Sequence, residues 1–167
     1  MLQDYILPCV YAFAACISFG TLFNIRGSGA VICALGGALA WLVYLLTGPL
    51  TGHNDVAQYF WAAVFLSAYS EGMARLRKCP VTGYQLVAFI PLVPGAGIYN
   101  MMERALEGDI DGFMATGVHT LTIAGALAVG VLVVSSLVHM GTDLLKRRRA
   151  RRRRAGWKVG SPMPRYD

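Results

Sequence analysis

Apolar residues in this chain run in long blocks instead of alternating with polar ones, and each block ends at Gly, Asn, Pro or a cluster of charges. The blocks cover residues 5–25, 30–47, 55–76, 80–99 and 113–138. A helix needs about 20 apolar residues to cross a bilayer, so the pattern predicts five transmembrane helices. Pro8 stands near the start of the first, where a missing amide donor matters least. Asn54 or Asp55 is placed to cap the third. The second block sets Gly29, Cys33 and Gly37 at four-residue intervals beside Ala30, Ala34 and Ala38, a spacing that predicts close helix packing. The fifth carries a comparable stripe of Thr116, Thr120, Ala124 and Ala128, with Gly117, Gly125 and Gly130 nearby.

The fourth block differs from the others. Pro91, Pro94, Gly95 and Gly97 interrupt it halfway, which predicts a spanning helix broken near the bilayer midplane. Backbone freed at that depth must face protein or a wet cavity, because an unpaired polar group in lipid costs several kcal/mol. A second half-helix beginning at Gly95, Ala96 and Gly97 has its first amides without partners and its positive dipole end at the break. Such an end suits an anion, so a small carboxylated solute is the predicted ligand. Tyr99 and Asn100 follow within a turn and are candidate contacts, although a tyrosine there also fits an interfacial aromatic belt. Thr116 and Thr120 are candidates to line the route. The alternative is a proline kink repaired by neighbouring helices.

Composition supports the membrane assignment: 56% of residues are hydrophobic and only 14% charged, with a mean hydropathy of +0.51. The net charge of +6 is concentrated at one end, where residues 146–167 hold ten of the 15 Lys/Arg and one of the nine acids. Arg26, then Arg75, Arg77 and Lys78, then this tail fall on one side of a five-span chain, while Arg104 is the one Lys/Arg on the other. The positive-inside bias therefore predicts the amino end outside, the carboxyl tail cytoplasmic, and a multi-pass protein of the plasma (inner) membrane. The chain divides into a membrane domain, residues 1–145, and a basic tail, residues 146–167, predicted to be disordered. The run from Lys146 to Arg154 fits contact with anionic lipids. No nucleic-acid-binding fold accompanies it, so nucleic acid is not a predicted partner.

Glu71 and Arg75 lie four residues apart on one helix face, as either a local salt bridge or a gate. His119 is a candidate for gating or proton coupling, since an unperturbed imidazole titrates near pH ~6.5, although one histidine near a span's edge is more often a packing or hydrogen-bonding residue. Cys9, Cys16, Cys33 and Cys79 are far apart and mostly within apolar runs, and are read as small core residues. Gly27-Ser28-Gly29 lacks the third glycine of a dinucleotide fingerprint. With no nucleophile beside a base and no metal-ligand cluster, neither an enzyme, a cofactor nor a metal is predicted. Met1-Leu2-Gln3-Asp4 carries no Lys or Arg, so the first apolar run is predicted to stay as an anchor and not to be cleaved as a signal.

Three strings, Ser70-Glu71-x-x-Ala74-Arg75, Cys79-Pro80-Val81-Thr82 and Ile90-Pro91-Leu92-Val93-Pro94-Gly95-Ala96-Gly97-Ile98-Tyr99, resemble the threonine/serine exporter family, specifically its smaller membrane module. Phe23-Asn24 and the small-residue second block extend the likeness over nearly the whole membrane body. The resemblance implies a subunit of a secondary transporter that exports threonine, serine or similar small carboxylates. It implies a larger membrane module of the same family as partner, or a homo-oligomer, and coupling to the proton gradient by class. The competing reading is an assembly or scaffold subunit that holds no substrate.

Overall fold

The computed structural model describes residues 2–25, 27–52, 54–77 and 80–157, without the side chains of residues 2, 4 and 143–157. Arg26, His53, Lys78, Cys79, the side chains of the basic run and everything after Trp157 lie outside the described residues. The elements are α1 (Leu2–Leu22), α2 (Ser28–Thr47), α3 (Asp55–Arg77), α4 (Val81–Phe89), a 3-10 turn (Ile90–Leu92), α5 (Gly95–Leu106) and α6 (Ile110–Trp157). Windows in α1, α2 and α6 are long and apolar enough to cross a membrane. The pair Val81–Leu92 and Gly95–Leu106, bent by 49°, makes a fourth if it counts as one span. The chain is an all-α membrane protein with three or four candidate spans.

The helix missing from that set is α3, read from sequence as a span. Gln58, Ser67, Ser70, Glu71 and Arg75 dilute its apolar content. Yet α3 is enclosed by protein: it packs on α2, α4 and α6 and buries Gln58, Ser67 and Ser70 together with Ala62, Ala63 and Leu66. Polar groups that would be costly against lipid are tolerable where neighbouring helices cover them.

Local chemistry sets the ends of these elements. Asn54 Oδ1 accepts from the Val56 amide at 3.1 Å, so of the two candidate caps Asn54 makes the bond at the start of α3. Asp109 Oδ1 accepts from the Gly112 amide at 3.0 Å and caps α6 in the same way. Residues 103–112, read from sequence as a loop, are mostly helical. Nothing between Asn100 and Glu107 breaks α5, and the chain turns only at Gly108, whose φ of 77° favours glycine. Within the described residues α6 runs on through the basic run as far as Trp157.

Small residues bring α2 close to its neighbours, as their spacing predicts: Gly29, Ala30, Cys33, Ala34 and Gly37 are buried, with Gly36 and Ala40 added. Gly36 lies under the ring of Tyr69, whose hydroxyl donates to the Ile32 carbonyl at 3.0 Å. On α6 the expected stripe is rotated. Gly117, Thr120, Ile123, Leu127, Gly130 and Val134 are buried, whereas Ala124, Gly125 and Ala128 are exposed. The reason lies on the facing helix: Ala62 and Ala63 of α3 supply the small surface, so Ile123 and Leu127 of α6 fit against it in one core cluster with Leu66 and Leu92. Cys16 and Cys33 are buried and Cys9 half-buried, free thiols all three.

Two contacts set the relation of the long helices. His119 of α6 lies beside Asp55 at the start of α3, and Gly130 lies against Phe60 and Ala63 one to two turns further along. The helices therefore run parallel. α5 turns back along α6 and, among the described residues, packs on no other element.

Candidate functional site

The break begins with a missing donor. Pro91 cannot bond to the carbonyl of Val87, four residues earlier. That carbonyl accepts instead from the Ile90 amide within the tightened turn and from the Cys16 thiol of α1 at 3.5 Å. The Val93 amide then donates to Ile90 at 3.2 Å, and the Gly95 amide to Val93 at 2.7 Å. Thus one of the amides expected to be free at the second half-helix is already engaged. The Ala96 and Gly97 amides follow at positions where no intrahelical acceptor exists, and no side chain caps this end. Gly37 lets α2 reach the break: a Cβ there would stand 3.2 Å from the Ala88 carbonyl and 3.6 Å from Pro91 Cγ, and closer still to Cys16 Sγ.

The two sides of the break are unlike. Toward α1 and α2, Pro91 lines a cavity of about 300 Å³ with Pro8, Tyr11, Ala12, Ala15 and Trp41. Trp41 has its indole Nε1 buried and without a hydrogen-bond partner. Toward α6, Gly97 rests on Thr120: an added Cβ would lie 2.5 Å from Thr120 Oγ1. Thr120 in turn donates to the Thr116 carbonyl at 2.7 Å within α6, so of the two threonines it is Thr120 that meets the half-helix at Gly97. Gly95, Ala96 and Asn100 are exposed, as is Tyr99 at 68%. Gly97→Val is expected to detach α5 from α6 while leaving the other helices packed, because α5 has no second neighbour. Amide hydrogen exchange should show residues 95–106 losing protection while α2 and α3 keep theirs.

The remaining candidates lie elsewhere. Arg75 Nε and Glu71 Oε2 are 3.8 Å apart near the opposite end of α3, with the Glu71 side chain 13% exposed. In the following turn Arg77 Nη1 donates to Ser28 Oγ at 2.6 Å. His119 Nε2 lies 3.7 Å from Asp55 Oδ2, tying α6 to the start of α3, both side chains half exposed. Three features were not anticipated from sequence. One is the aromatic series Trp41, Tyr44 and Tyr59, with successive ring centroids 5.2 and 4.7 Å apart. The others are the Cys16–Val87 contact and the Gln85–Ser67 pair, whose donor and acceptor are 3.4 Å apart. A signal for the last existed: Gln85 is the one amide side chain in the apolar run that begins at Val81 and ends at the break.

The bent pair is half enclosed: α4 packs on α1, α2 and α3, whereas α5 lies along α6 with no buried residue. No curated protein and no solved structure matches the chain. Residues 8–137 match the family model described as Threonine/Serine exporter, ThrE. That match covers most of the chain, including α1 to α5 almost entirely and the apolar part of α6, and the chain accordingly belongs to the threonine/serine exporter family, a family of transporters.

Proposed function

We propose that this chain is a membrane subunit of a secondary transporter that exports threonine, serine or similar small carboxylated solutes, with substrate passing the break at Pro91 to Gly97. The observation that carries this reading is the break itself: its near side is packed on α1 and α2, and its far side opens onto α5, a helix with one neighbour and no buried residue. Residues Val81–Leu92 correspond to about 18 Å of helix, a little over half of a ~30 Å hydrocarbon core, so the break lies near mid-membrane when α4 starts at the interface. In this reading α3 is a fifth span, its polar residues covered by protein. The basic end faces the cytoplasm of the inner membrane and the amino end faces outward, with the basic run on anionic lipid. A larger module of the same family, or a second copy of this chain, covers the bare face of α5. Glu71 and Arg75 guard the basic mouth, and His119 with Asp55 is the pair that couples transport to protons.

Gly95→Leu tests the route. Nothing lies within 4 Å of a Cβ at this position, so the variant should accumulate in the membrane as the parent does. Efflux of threonine and serine from peptide-fed cells should fall at least ~10-fold, a barrier increase of ~1.4 kcal/mol. Efflux at the parent rate would remove the break from the transport route.

A further inference from the structure

Two contacts fix the height of α5. Gly97 lies against Thr120 and Met101 against Gly117, so α5 runs beside the part of α6 that comes before His119. His119 is itself level with Asp55, the first residue of α3. The 23 residues of α3 make roughly 35 Å of helix, enough for a hydrocarbon core of ~30 Å. Nearly all of α5 and residues 110–118 of α6 therefore stand past the end of α3. They form an arm that rises about 13 Å from the end of the bundle away from the basic run.

The arm has one apolar face. On α5, Ile98 and Met102 each follow a residue that touches α6, and on α6, Val118 follows Gly117, which touches α5. One residue further is about 100° around a helix, and in antiparallel helices that step turns both to the same side. Four-residue spacing extends the stripes to Leu106 on α5 and to Met114 and Ile110 on α6. All six are between 47% and 90% exposed. Past the end of α3 lipid tails do not cover them. Exposed to this degree, they present on the order of 800 Å², more than the largest apolar patch of a typical soluble monomer and about what each side of a standard interface buries.

This face is complementary to itself. The contacts that fix the height of α5 also set Ile98, Met102 and Leu106 level with Val118, Met114 and Ile110. Copies of a membrane protein insert the same way up, so a two-fold axis relating two of them runs along the membrane normal, and hence along the arm. Such an axis lays the α5 stripe of each copy against the α6 stripe of the other at matching heights. Glu103 and Glu107, exposed on a different flank of α5, stay out of the contact.

We infer that two copies of this chain pair through the apolar face of the α5–α6 arm, as a symmetric dimer whose axis runs along the arm. The inference rests on α3 spanning the membrane, as read above, and not on which solute is moved.

The test uses the full chain in native membranes, as two differently tagged copies expressed together. Met102→Cys in one copy and Met114→Cys in the other are level and opposed, so a short bis-maleimide should join them. Ile98→Cys with Ile110→Cys, about two turns apart in height, should give far less product. A difference of at least ~10-fold is expected, because only groups held together act at high effective concentration. All four side chains are exposed, so the substitutions leave the packing of the chain intact. In detergent the parent should have the mass of two chains, and Met102→Glu combined with Leu106→Glu the mass of one, with hydrogen-exchange protection of α1 to α4 unchanged. Equal product from both cysteine pairs, or a parent that is a single chain in detergent and in lipid nanodiscs, overturns the dimer. Product that joins the chain only to a different protein overturns it too, as does labelling of Met114→Cys by a lipid-soluble reagent and not by a water-soluble one. If threonine efflux depends on the chain but no dimer forms, the pairing is wrong and the transport reading stands. A dimer in cells whose efflux is unchanged by deleting the chain supports the pairing and removes the transport reading.

Discussion

Gly37→Val is expected to leave little correctly folded protein, the largest loss for any single substitution in this chain. The site has no room for a side chain because three separate elements converge on it. Cys16 of α1, the Ala88 carbonyl of α4 and the Pro91 ring all lie within contact distance of the missing Cβ. The carbonyl is backbone and cannot rotate away, and Cys16 is held by its own bond to the Val87 carbonyl. Overpacking a dense core typically costs about 1–3 kcal/mol, and here the displaced groups also repair the helix at its proline. Thermal unfolding in detergent should show Gly37→Ala already lowered and Gly37→Val absent or aggregated. Because Cys16 makes the closest contact, Cys16→Ala combined with Gly37→Ala should be more stable than the sum of the two single losses predicts. Gly72→Ala, on an exposed face with nothing within 4 Å, should be neutral or slightly stabilising.

Gly130→Val should produce the second largest effect, of a different kind. An added Cβ would stand 2.9 Å from Ala63 Cβ and 3.0 Å from the Phe60 carbonyl, so α6 must move away from α3. Among the described residues α3 is, apart from α5, the only element α6 touches. The α5–α6 hairpin should then separate as a unit while α1 to α4 remain packed, with a cost again in the range of about 1–3 kcal/mol or more. A bifunctional maleimide bridging cysteines placed at Asp55 and His119, whose side-chain tips lie 3.7 Å apart, would report it: the bridge should form in the parent and poorly in Gly130→Val. Gly117→Ala should be milder, since the atom in its way is Sδ of Met101, the flexible part of an adaptable side chain.

These contrasts show why glycines of similar appearance in the sequence differ so much in consequence. Gly95, Gly97, Gly125 and Gly130 all sit in apolar helical runs. Only their neighbours separate the open position at Gly95 from the backbone contact at Gly130, and those neighbours come from elements far away in the chain. For the same reason the stripe of Thr116, Thr120, Ala124 and Ala128 was legible as a face of α6, but not that Thr120, Gly117 and Gly130 would be buried while Ala124 and Ala128 stay exposed. Small residues allow close packing wherever a partner approaches, and Ala62 and Ala63 moved that requirement from α6 to α3.

The sequence by itself determined the features that rest on backbone chemistry and local spacing. Proline without an amide donor and a nearby glycine broke the fourth apolar run where expected, Asn54 was one of two residues able to cap α3, and four-residue spacing put Arg75 within reach of Glu71. The small-residue face of α2 belongs here too, because lipid offers no hydrophobic gain for association and close contact must replace it. The tertiary structure alone decided what each element meets. It placed α5 on α6 and nowhere else, set α6 parallel to α3, brought the Cys16 thiol to the carbonyl that Pro91 leaves open, and aligned Gln85 with Ser67 beside an open groove. Those pairings join residues tens of positions apart, and they depend on how whole helix surfaces fit together, which no local pattern encodes.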